Sequence, residues 1–333
     1  MRVTQVVRFD AGLYYGGGEI QADLTRKALV EKGVEARFFS PTDRDLGDIV
    51  HFFGNFDYFE EIAVHCRSRG VPYVVSPIFA TPRSASRLRW RATRTRALGG
   101  FRKDAYRMLR GASKLFTLSE RESELLTSYF GSDLPPMIRV PNGVESRFHR
   151  ASPAWPGPGD APRGPFVLMV GGIQKGKNQL AAIDACGSDF SLVVAGAEID
   201  TKYASLCRAR ATERVQFLGP VNHHGDLEGL LAMAHVFVLP SQHELFPLSA
   251  LEAAAAGCHL VISNTWGAQD LFGDIATYVD PNDVRAIRTS LDRALSLPRP
   301  GQNVRSRFVE DHSWSKVAED LIREYEATLT EHS

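Results

Sequence analysis

The feature that most constrains this chain is a regular alternation of short apolar segments with longer helical patterns. The first apolar run, residues 3–9, leads through Gly16, Gly17 and Gly18 into a helical pattern at 19–32. Further apolar runs lie at 36–39, 49–53, 73–75, 114–118 and 137–140. Because parallel strands need a crossover between them, this alternation predicts an α/β fold with a mainly parallel sheet.

A proline-rich segment interrupts the pattern. Residues 151–165 contain five prolines and three glycines, which neither a helix nor an interior strand tolerates. The alternation then restarts, and it predicts strands at 166–171, 191–195, 215–218, 236–239, 259–262 and 277–279. We therefore predict a Rossmann-like domain over 1–150, a linker over 151–165 and a second Rossmann-like domain over 166–312. An amphipathic helix within 313–333 is expected to pack back on the first domain.

Charge and cysteine content exclude several classes of protein. The 39 basic and 39 acidic residues cancel, so no overall field favours nucleic acid. The four cysteines are scattered without a Cys-x-x-Cys pair, which predicts buried thiols in a reducing compartment. The first residues do not resemble a secretory signal, and no run approaches the ~20 apolar residues of a membrane span. We expect a soluble, cytoplasmic protein.

The most informative stretch is PSQHELFPLSALEAAAAG, residues 240–257, which joins a predicted strand to an alanine-rich helix. Pro247 suits the first turn of this helix, whose free amides would lie at the carboxyl edge of a parallel sheet and favour an anion. Glu252 lies inside the helix among small apolar residues. A buried carboxylate needs a partner, which ribose hydroxyls, an arginine or backbone amides would each supply.

The spacing Glu244-x7-Glu252 resembles the signature of the family 4 retaining glycosyltransferases, which have the GT-B fold. Other segments match that family in the same order along nearly the whole chain: GGGE at 16–19, TLSE at 117–120, VPNGV at 140–144, VGGIQKGKN at 170–178, FLG at 217–219 and YVDP at 278–281. The resemblance implies two facing Rossmann-like domains. It also implies a donor that is a nucleotide-diphosphate sugar, UDP-sugar or GDP-sugar, and no separate cofactor.

The resemblance assigns a role to each matching residue. Glu252 would bind the donor ribose hydroxyls, and Glu244 would contact the transferred sugar near its reacting carbon. The backbone amides of Phe246 and Leu248 would face the diphosphate. Lys177 would neutralise the leaving phosphate as the glycosidic bond breaks.

Further residues are expected to bind the diphosphate. Gly17 and Gly18 would let backbone of the first domain approach the phosphates across the cleft. Family members often carry an arginine where this chain has Gly172. Lys175 is therefore expected to substitute for it, although a lysine lacks the bidentate geometry of a guanidinium.

Two more departures from the family pattern affect the sugar site. Many relatives have glycine at the position of Leu245, so we expect a different shape around the donor sugar. Some relatives have a histidine just after the strand at 73–75, where this chain has none. We interpret His51 as a packed structural residue and His243 as the catalytic-site histidine that contacts the sugar.

The resemblance implies transfer with retention of the anomeric configuration. We hypothesise a front-face reaction in which the departing phosphate takes the acceptor proton, stabilised by Lys177 and the helix amides. The Asp43-Arg44-Asp45 sequence mimics a metal-binding D-x-D, but it lies in a turn-like region. We expect no metal site.

Residues 83–114 carry eleven basic residues and one acidic residue, with aromatic residues interleaved. In the GT-B fold this domain receives the acceptor, a saccharide, lipid-linked or small-molecule hydroxyl. The segment could therefore contact an anionic membrane or a phosphorylated acceptor, or form a solvated basic surface.

Several alternatives stay open. A GT-B-fold sugar-nucleotide epimerase would bind the same donor, and a non-catalytic nucleotide-sugar-binding partner would bind it without turnover. A phosphorylase should show a pyridoxal-phosphate lysine context, which we do not find. A nicotinamide-dependent oxidoreductase should carry G-x-G-x-x-G after the first strand, which Gly16–Gly18 does not provide. We expect a hexosyltransferase of cell-surface polysaccharide, glycolipid or glycosylated-metabolite synthesis.

Overall fold

The computed structural model describes residues 1–11, 16–79, 103–244, 246–264 and 267–332. The chain divides into two compact units. The first comprises Met1–Gly143 together with Trp314–Ser333, and the second comprises Val144–Ser313.

The first unit is built on a six-stranded parallel sheet with the order β2-β1-β3-β4-β5-β6. Its strands are β1 (Arg2–Val6), β2 (Glu35–Phe38), β3 (Ile49–Phe53), β4 (Tyr73–Ser76), β5 (Lys114–Thr117) and β6 (Met137–Arg139). Every residue of β3, β4 and β5 is buried, as expected for a sheet covered on both faces. The six strands predicted for this part of the chain are thus confirmed to within a few residues.

Helices connect these strands. Those described before the second unit are α1 (Gly17–Glu31), α2 (Phe59–Ser68), α3 (Lys103–Arg110) and α4 (Glu120–Phe130). Helix α1 buries Leu24, Ala28 and Leu29, so its predicted apolar face is confirmed. It begins at Gly17 rather than at residue 19.

The start of α4 is held by two side chains. Ser119 caps the helix, and its hydroxyl accepts a hydrogen bond from the Glu122 amide at 3.2 Å. The fully buried Glu122 carboxylate accepts from the amides of Phe79 and Leu118, each at 2.7 Å. Burial raises the pKa of Glu122 to about 7, against the opposing effect of these two amides.

The second unit repeats the architecture, with the order β12-β11-β10-β7-β8-β9. Its strands, all parallel to their neighbours, are β7 (Val167–Val170), β8 (Leu192–Ala195), β9 (Val215–Gly219), β10 (Val236–Leu239), β11 (His259–Ser263) and β12 (Ala276–Val279). The predicted strands are again confirmed.

The helices of the second unit surround this sheet. They are α5 (Arg147–Arg150), α6 (Gln179–Cys186), α7 (Thr201–Arg210), α8 (Asp226–Met233), α9 (Leu248–Ala256), α10 (Ala268–Phe272), α11 (Val284–Ser296) and α12 (Gln302–Asp311). Single 3₁₀ turns occupy Lys175–Lys177 and Gly273–Ile275.

The sequence predicts that residues 151–165 form a linker between domains. In the structure, this proline-rich segment packs within the second unit. The Ala154 amide donates to the carbonyl of Gly229 in α8 at 3.2 Å. Gly157 lies so close to Leu218 that an added Cβ would come within 2.5 Å of it. The junction itself falls at 143/144, because the Val144 amide pairs with the His312 carbonyl at 2.7 Å and Phe148 is buried in the second unit. Proline and glycine thus prevent regular structure in 151–165 without preventing packing.

The last helix, α13 (Trp314–Glu331), returns to the first unit, as predicted. It packs against α1, and Lys32 forms an ion pair with Glu319. The Tyr325 hydroxyl lies 2.6 Å from Nδ1 of His51. Within the described ranges, no helix has both the length and the apolar character required to cross a bilayer.

Candidate active site

The candidate site lies at the carboxyl edge of the second sheet, where the strand order reverses. From β7 the chain continues to the neighbouring β8 on one side, whereas the neighbour on the other side is β10. Such a reversal opens a crevice beyond the carboxyl ends of the two strands, and ligands of open α/β sheets bind there. The loops that follow β7 and β10 carry the predicted Lys177 and Glu244.

Hydrogen bonds hold these two loops together. The Gln242 amide donates to the Gly176 carbonyl at 2.9 Å. The Asn178 side chain donates to the carbonyls of Pro240, at 3.0 Å, and Pro281, at 2.7 Å, so it also ties in the loop after β12. Asn178 has a left-handed backbone (φ 62°), which asparagine tolerates better than most residues.

This arrangement brings Lys177 and Glu244 into direct contact. The Lys177 ammonium pairs with Oε1 of Glu244, which also accepts a hydrogen bond from the Ser241 hydroxyl at 2.9 Å. Ser241 is fully buried, and its carbonyl accepts from the Ser263 hydroxyl at 2.6 Å. Glu244 therefore has a fixed carboxylate with a cation beside it, at the place where the sequence predicts the sugar and the leaving phosphate.

The glycine loop after β7 approaches the neighbouring β8 closely. A Cβ on Gly196 would lie 2.0 Å from the Gly171 carbonyl oxygen, so position 196 requires glycine. A Cβ on Gly172 would lie 2.7 Å from the exposed Ile199 side chain, which occupies the space into which a longer residue at 172 would extend. Lys175, the predicted substitute for an arginine there, is exposed.

Helix α9 begins directly after the Glu244 loop. Pro247 is its N-cap and Leu248 its first residue, so the helix starts one residue after the predicted Pro247. The amides of Leu248 and Ser249 fall in the first turn, where a helix offers no intrahelical acceptor. Phe246 is buried and His243 is exposed, whereas Leu245 lies outside the described residues.

Glu252 is buried in α9, with 5% of its surface exposed, and its partner is a histidine. Nε2 of His223 lies 2.7 Å from Oε1 of Glu252. Burial raises the pKa of the Glu252 carboxyl, and the His223 hydrogen bond and the charge of Arg147 oppose this effect.

The sequence reasoning missed both His223 and Arg147. Arg147 donates to the His223 carbonyl at 2.7 Å, and its Nη2 lies 3.0 Å from Nδ1 of the same residue. It also pairs with Glu145 at 2.8 Å and with Glu228. The available signal was the VNHHGDLE segment after the FLG match, which places two histidines and acidic residues at the end of a strand of the same sheet.

The remaining predicted site residues lie in the first unit. Gly17 and Gly18 form the first turn of α1, and the Gly16 amide donates to Glu19 at 2.8 Å. A Cβ on Gly17 would meet no atom of the described residues within 4 Å, so packing against this part of the chain does not require a glycine there.

Other polar groups that the sequence singled out have structural roles. His51 is fully buried between Tyr325 and Ser76, and burial lowers its pKa to about 3, which confirms it as a packed residue. Asp43 pairs with Arg37 and Asp45 with Arg2. The four cysteines are buried thiols, as predicted.

Comparison with known proteins identifies the class. Residues 157–312, which include both loops and Glu252, match the family model described as "Glycosyl transferases group 1". This part of the chain, somewhat less than half of it, is therefore similar to the group 1 glycosyl transferases. The resemblance predicted from the sequence is thereby confirmed.

Curated relatives of this chain include a glycogen synthase from Mycobacterium tuberculosis. It is 30% identical over 234 residues, which cover 66% of this chain and 55% of the synthase. A GDP-mannose-dependent alpha-(1-6)-phosphatidylinositol dimannoside mannosyltransferase from the same species is 30% identical over 43% of this chain and 37% of its own length. The matched part of the chain thus covers about half of the synthase and a smaller share of the mannosyltransferase.

Solved structures share the fold over the whole chain. Sucrose-phosphate synthase from Thermosynechococcus elongatus superposes with a TM-score of 0.76 at 18% identity, covering 99% of this chain and 100% of that one. This similarity, together with the two six-stranded parallel sheets, confirms the predicted GT-B fold.

Proposed function

We propose that this chain transfers a hexose from a nucleotide-diphosphate sugar to a hydroxyl acceptor, with retention of the anomeric configuration and without a metal ion. The observation that carries the proposal is the pairing of Lys177 with Glu244 beside the N-terminus of α9. A cation and a fixed carboxylate at the switch point of a parallel sheet suit a diphosphate and a sugar, respectively. The match of residues 157–312 to the group 1 glycosyl transferases supports the same reaction class.

In this proposal each part of the second unit binds one part of the donor. The buried Glu252 accepts hydrogen bonds from the ribose hydroxyls. The amides of Phe246 and Leu248, with Lys175 and the backbone at Gly172, bind the diphosphate, and Glu244 and His243 contact the sugar. The prediction that Gly17 and Gly18 bind the phosphates rests on the resemblance alone.

The chemical step that we propose breaks the bond between the anomeric carbon and the β-phosphate oxygen. The acceptor oxygen forms its bond to the same face of that carbon, and its proton passes to the departing phosphate oxygen. Negative charge therefore develops on the phosphate, where Lys177 and the first-turn amides of α9 stabilise it. Glu244 orients the Lys177 ammonium as well as the sugar, since the two side chains are in contact.

The nature of the donor base is part of the proposal. The name of the mycobacterial mannosyltransferase gives GDP-mannose as the donor of that protein. We therefore include GDP-mannose beside UDP-glucose among the candidate donors. Cell-surface polysaccharide, glycolipid or glycosylated-metabolite synthesis is the context in which we expect the acceptor.

A donor panel tests the proposal. Thermal shift is measured with UDP, GDP, ADP and their common sugars, and nucleotide release is then assayed with each ligand that stabilises the protein. We expect one nucleotide to raise the melting temperature of the wild type and of the control Glu213→Ala, an exposed glutamate of the second unit. Glu252→Ala should lose the shift.

The outcomes separate the alternatives. A folded wild-type protein that no nucleotide stabilises would contradict the donor site. Binding followed by conversion of the donor into its epimer would favour the epimerase, and binding without any turnover across acceptors would favour the non-catalytic partner.

A further inference from the structure

The hydrogen bond between His223 and Glu252 has a defined direction. A guanidinium carries only donors, so Nδ1 of His223, 3.0 Å from Nη2 of Arg147, must accept. The ring proton therefore resides on Nε2, which donates to Oε1 of Glu252 at 2.7 Å. Arg147 thus determines which atom His223 presents to the carboxylate.

Arg147 is itself held from several sides. Glu145 accepts from Nε at 3.0 Å and from Nη2 at 2.8 Å, and Glu228 pairs with Nη1. The His223 carbonyl accepts from Nη1 at 2.7 Å, so Arg147 fixes both the backbone and the ring of His223. A side chain with so many bonded groups has little freedom to release the ring.

The other carboxylate oxygen of Glu252 is differently placed. Among the residues that the structure describes, none donates a hydrogen bond to Oε2. A carboxylate oxygen has two lone pairs, and the vicinal hydroxyls of a ribose supply two donors. A buried, oriented acceptor of this kind is therefore suited to a diol.

We propose that His223 is a positioning residue for donor binding: it holds Oε1 of Glu252, in a tautomer set by Arg147, so that Oε2 faces the ribose hydroxyls. This proposal rests on the proposed function, because it assumes that Glu252 binds the donor ribose. It adds to that function a three-residue series, Arg147, His223 and Glu252, that prepares the ribose site.

The series also favours the charged form of the carboxylate. Burial raises the pKa of Glu252, whereas the Nε2–H donor favours the charged form. The other charged groups nearby are Arg147 at the start of α5, Glu145 shortly before this helix and Glu228 on α8. Arg305 on α12 bonds to the Ala256 carbonyl at the far end of α9. Removal of His223 takes away the donor that favours the charged form, so we expect the carboxyl to accept the ribose hydroxyls less well as the pH falls.

The experiment compares His223→Ala, His223→Gln and the control His224→Ala. His224 is the exposed neighbour on the same loop, and its ring contacts His223 but not Glu252. Dissociation constants of UDP and GDP, and of their 2′,3′-dideoxy forms, are measured by calorimetry at pH values from about 6 to about 9.

For the nucleotide that binds the wild type, we expect His223→Ala to weaken binding about 10- to 100-fold near neutral pH, the effect of losing a hydrogen bond to a charged group. The loss should shrink as the pH rises. The dideoxy form should bind His223→Ala and wild type alike, because the ribose contact is already missing. His223→Gln keeps an N–H donor and should recover most of the affinity, and His224→Ala should match the wild type.

Two results would overturn the proposal. In the first, His223→Ala binds the ribonucleotide as tightly as wild type at every pH. In the second, it loses equal affinity for the ribo and dideoxy forms, which indicates a general structural defect. A wild type that binds neither UDP nor GDP would instead contradict the proposed function itself, so the two failures are distinguishable.

Discussion

Substitution of Lys177 by methionine tests the proposed role of this residue in the chemical step. The Lys177 and Glu244 side chains are 24% and 15% exposed, so solvent partly screens the pair. We expect its loss to reduce the free energy of unfolding by at most about 1 kcal/mol. The Ser241 hydroxyl still donates to Glu244 after the substitution.

The effect on turnover should be much larger than the effect on stability. Lys177 is proposed to stabilise charge that appears only as the phosphate departs, and loss of one such group costs about 3 kcal/mol, or about 100- to 1,000-fold in kcat. The assay is nucleotide release at saturating donor, with Lys202→Met, an exposed lysine on α7, as the matched control. The melting temperature of each variant is measured in parallel.

A double-mutant cycle shows whether the two side chains act together. If Glu244 orients the Lys177 ammonium, Lys177→Met combined with Glu244→Gln should cost less than the sum of the single substitutions. A Lys177→Met variant that keeps kcat within about threefold of the wild type, with unchanged donor binding, would show that Lys177 does not stabilise the leaving phosphate.

Three further predictions concern pH, metals and membranes. Because burial raises the folded-state pKa of Glu122 from 4.5 to about 7, its contribution to stability is fully present below pH ~4.5 and falls by about 3 kcal/mol as the pH rises through 7. Urea unfolding at several pH values should show this decline in the wild type and a smaller one in Glu122→Gln; identical slopes would contradict it. EDTA should leave kcat unchanged, and a loss restored by added divalent cations would disprove metal independence. Reversal of the basic charges within 83–114 should abolish binding to anionic liposomes if this segment contacts membrane, and unaltered binding would reject that role.

Only part of this basic segment can be assessed from the structure, since residues 83–102 lie outside the described ranges. In the described part, Arg107 pairs with Asp104 at 3.4 Å, Arg110 with Asp133 at 3.5 Å and Lys114 with Glu324 at 3.0 Å. These acidic partners reduce the positive charge of the described part of the segment, residues 103–114. We therefore expect residues 83–102 to account for most of any liposome binding.

The positions of the strands were accessible from the sequence because parallel sheets bury both faces. Runs such as IVHFF in β3 and VFVL in β10 are continuous and apolar, and they stand out between helical patterns. The location of the domain junction was not accessible. A high proline content indicates where helices and strands do not form. The position of the junction depends instead on whether Val144 and Phe148 pack in the first or the second unit.

In the candidate site, too, some residues could be predicted from the sequence and others could not. Glu244, Glu252 and Lys177 belong to dense local motifs, so their spacing was informative, and the first two lie on one continuous segment. The contact between Glu252 and His223 joins positions far apart in the sequence, and Arg147 lies farther still. Neither residue belongs to a motif, so only the fold reveals that they act on the same carboxylate.

Transfer of a sugar with retention from a nucleotide-diphosphate donor is tested most directly by NMR spectroscopy. Reactions are supplied with UDP-glucose or GDP-mannose labelled with carbon-13 at the anomeric carbon, together with candidate hydroxyl acceptors. We expect a new glycoside whose labelled carbon keeps the configuration of the donor, formed in step with free nucleoside diphosphate and absent with Glu252→Ala. A glycoside of inverted configuration would contradict retention, and an epimerised donor without any new glycoside would contradict transfer itself.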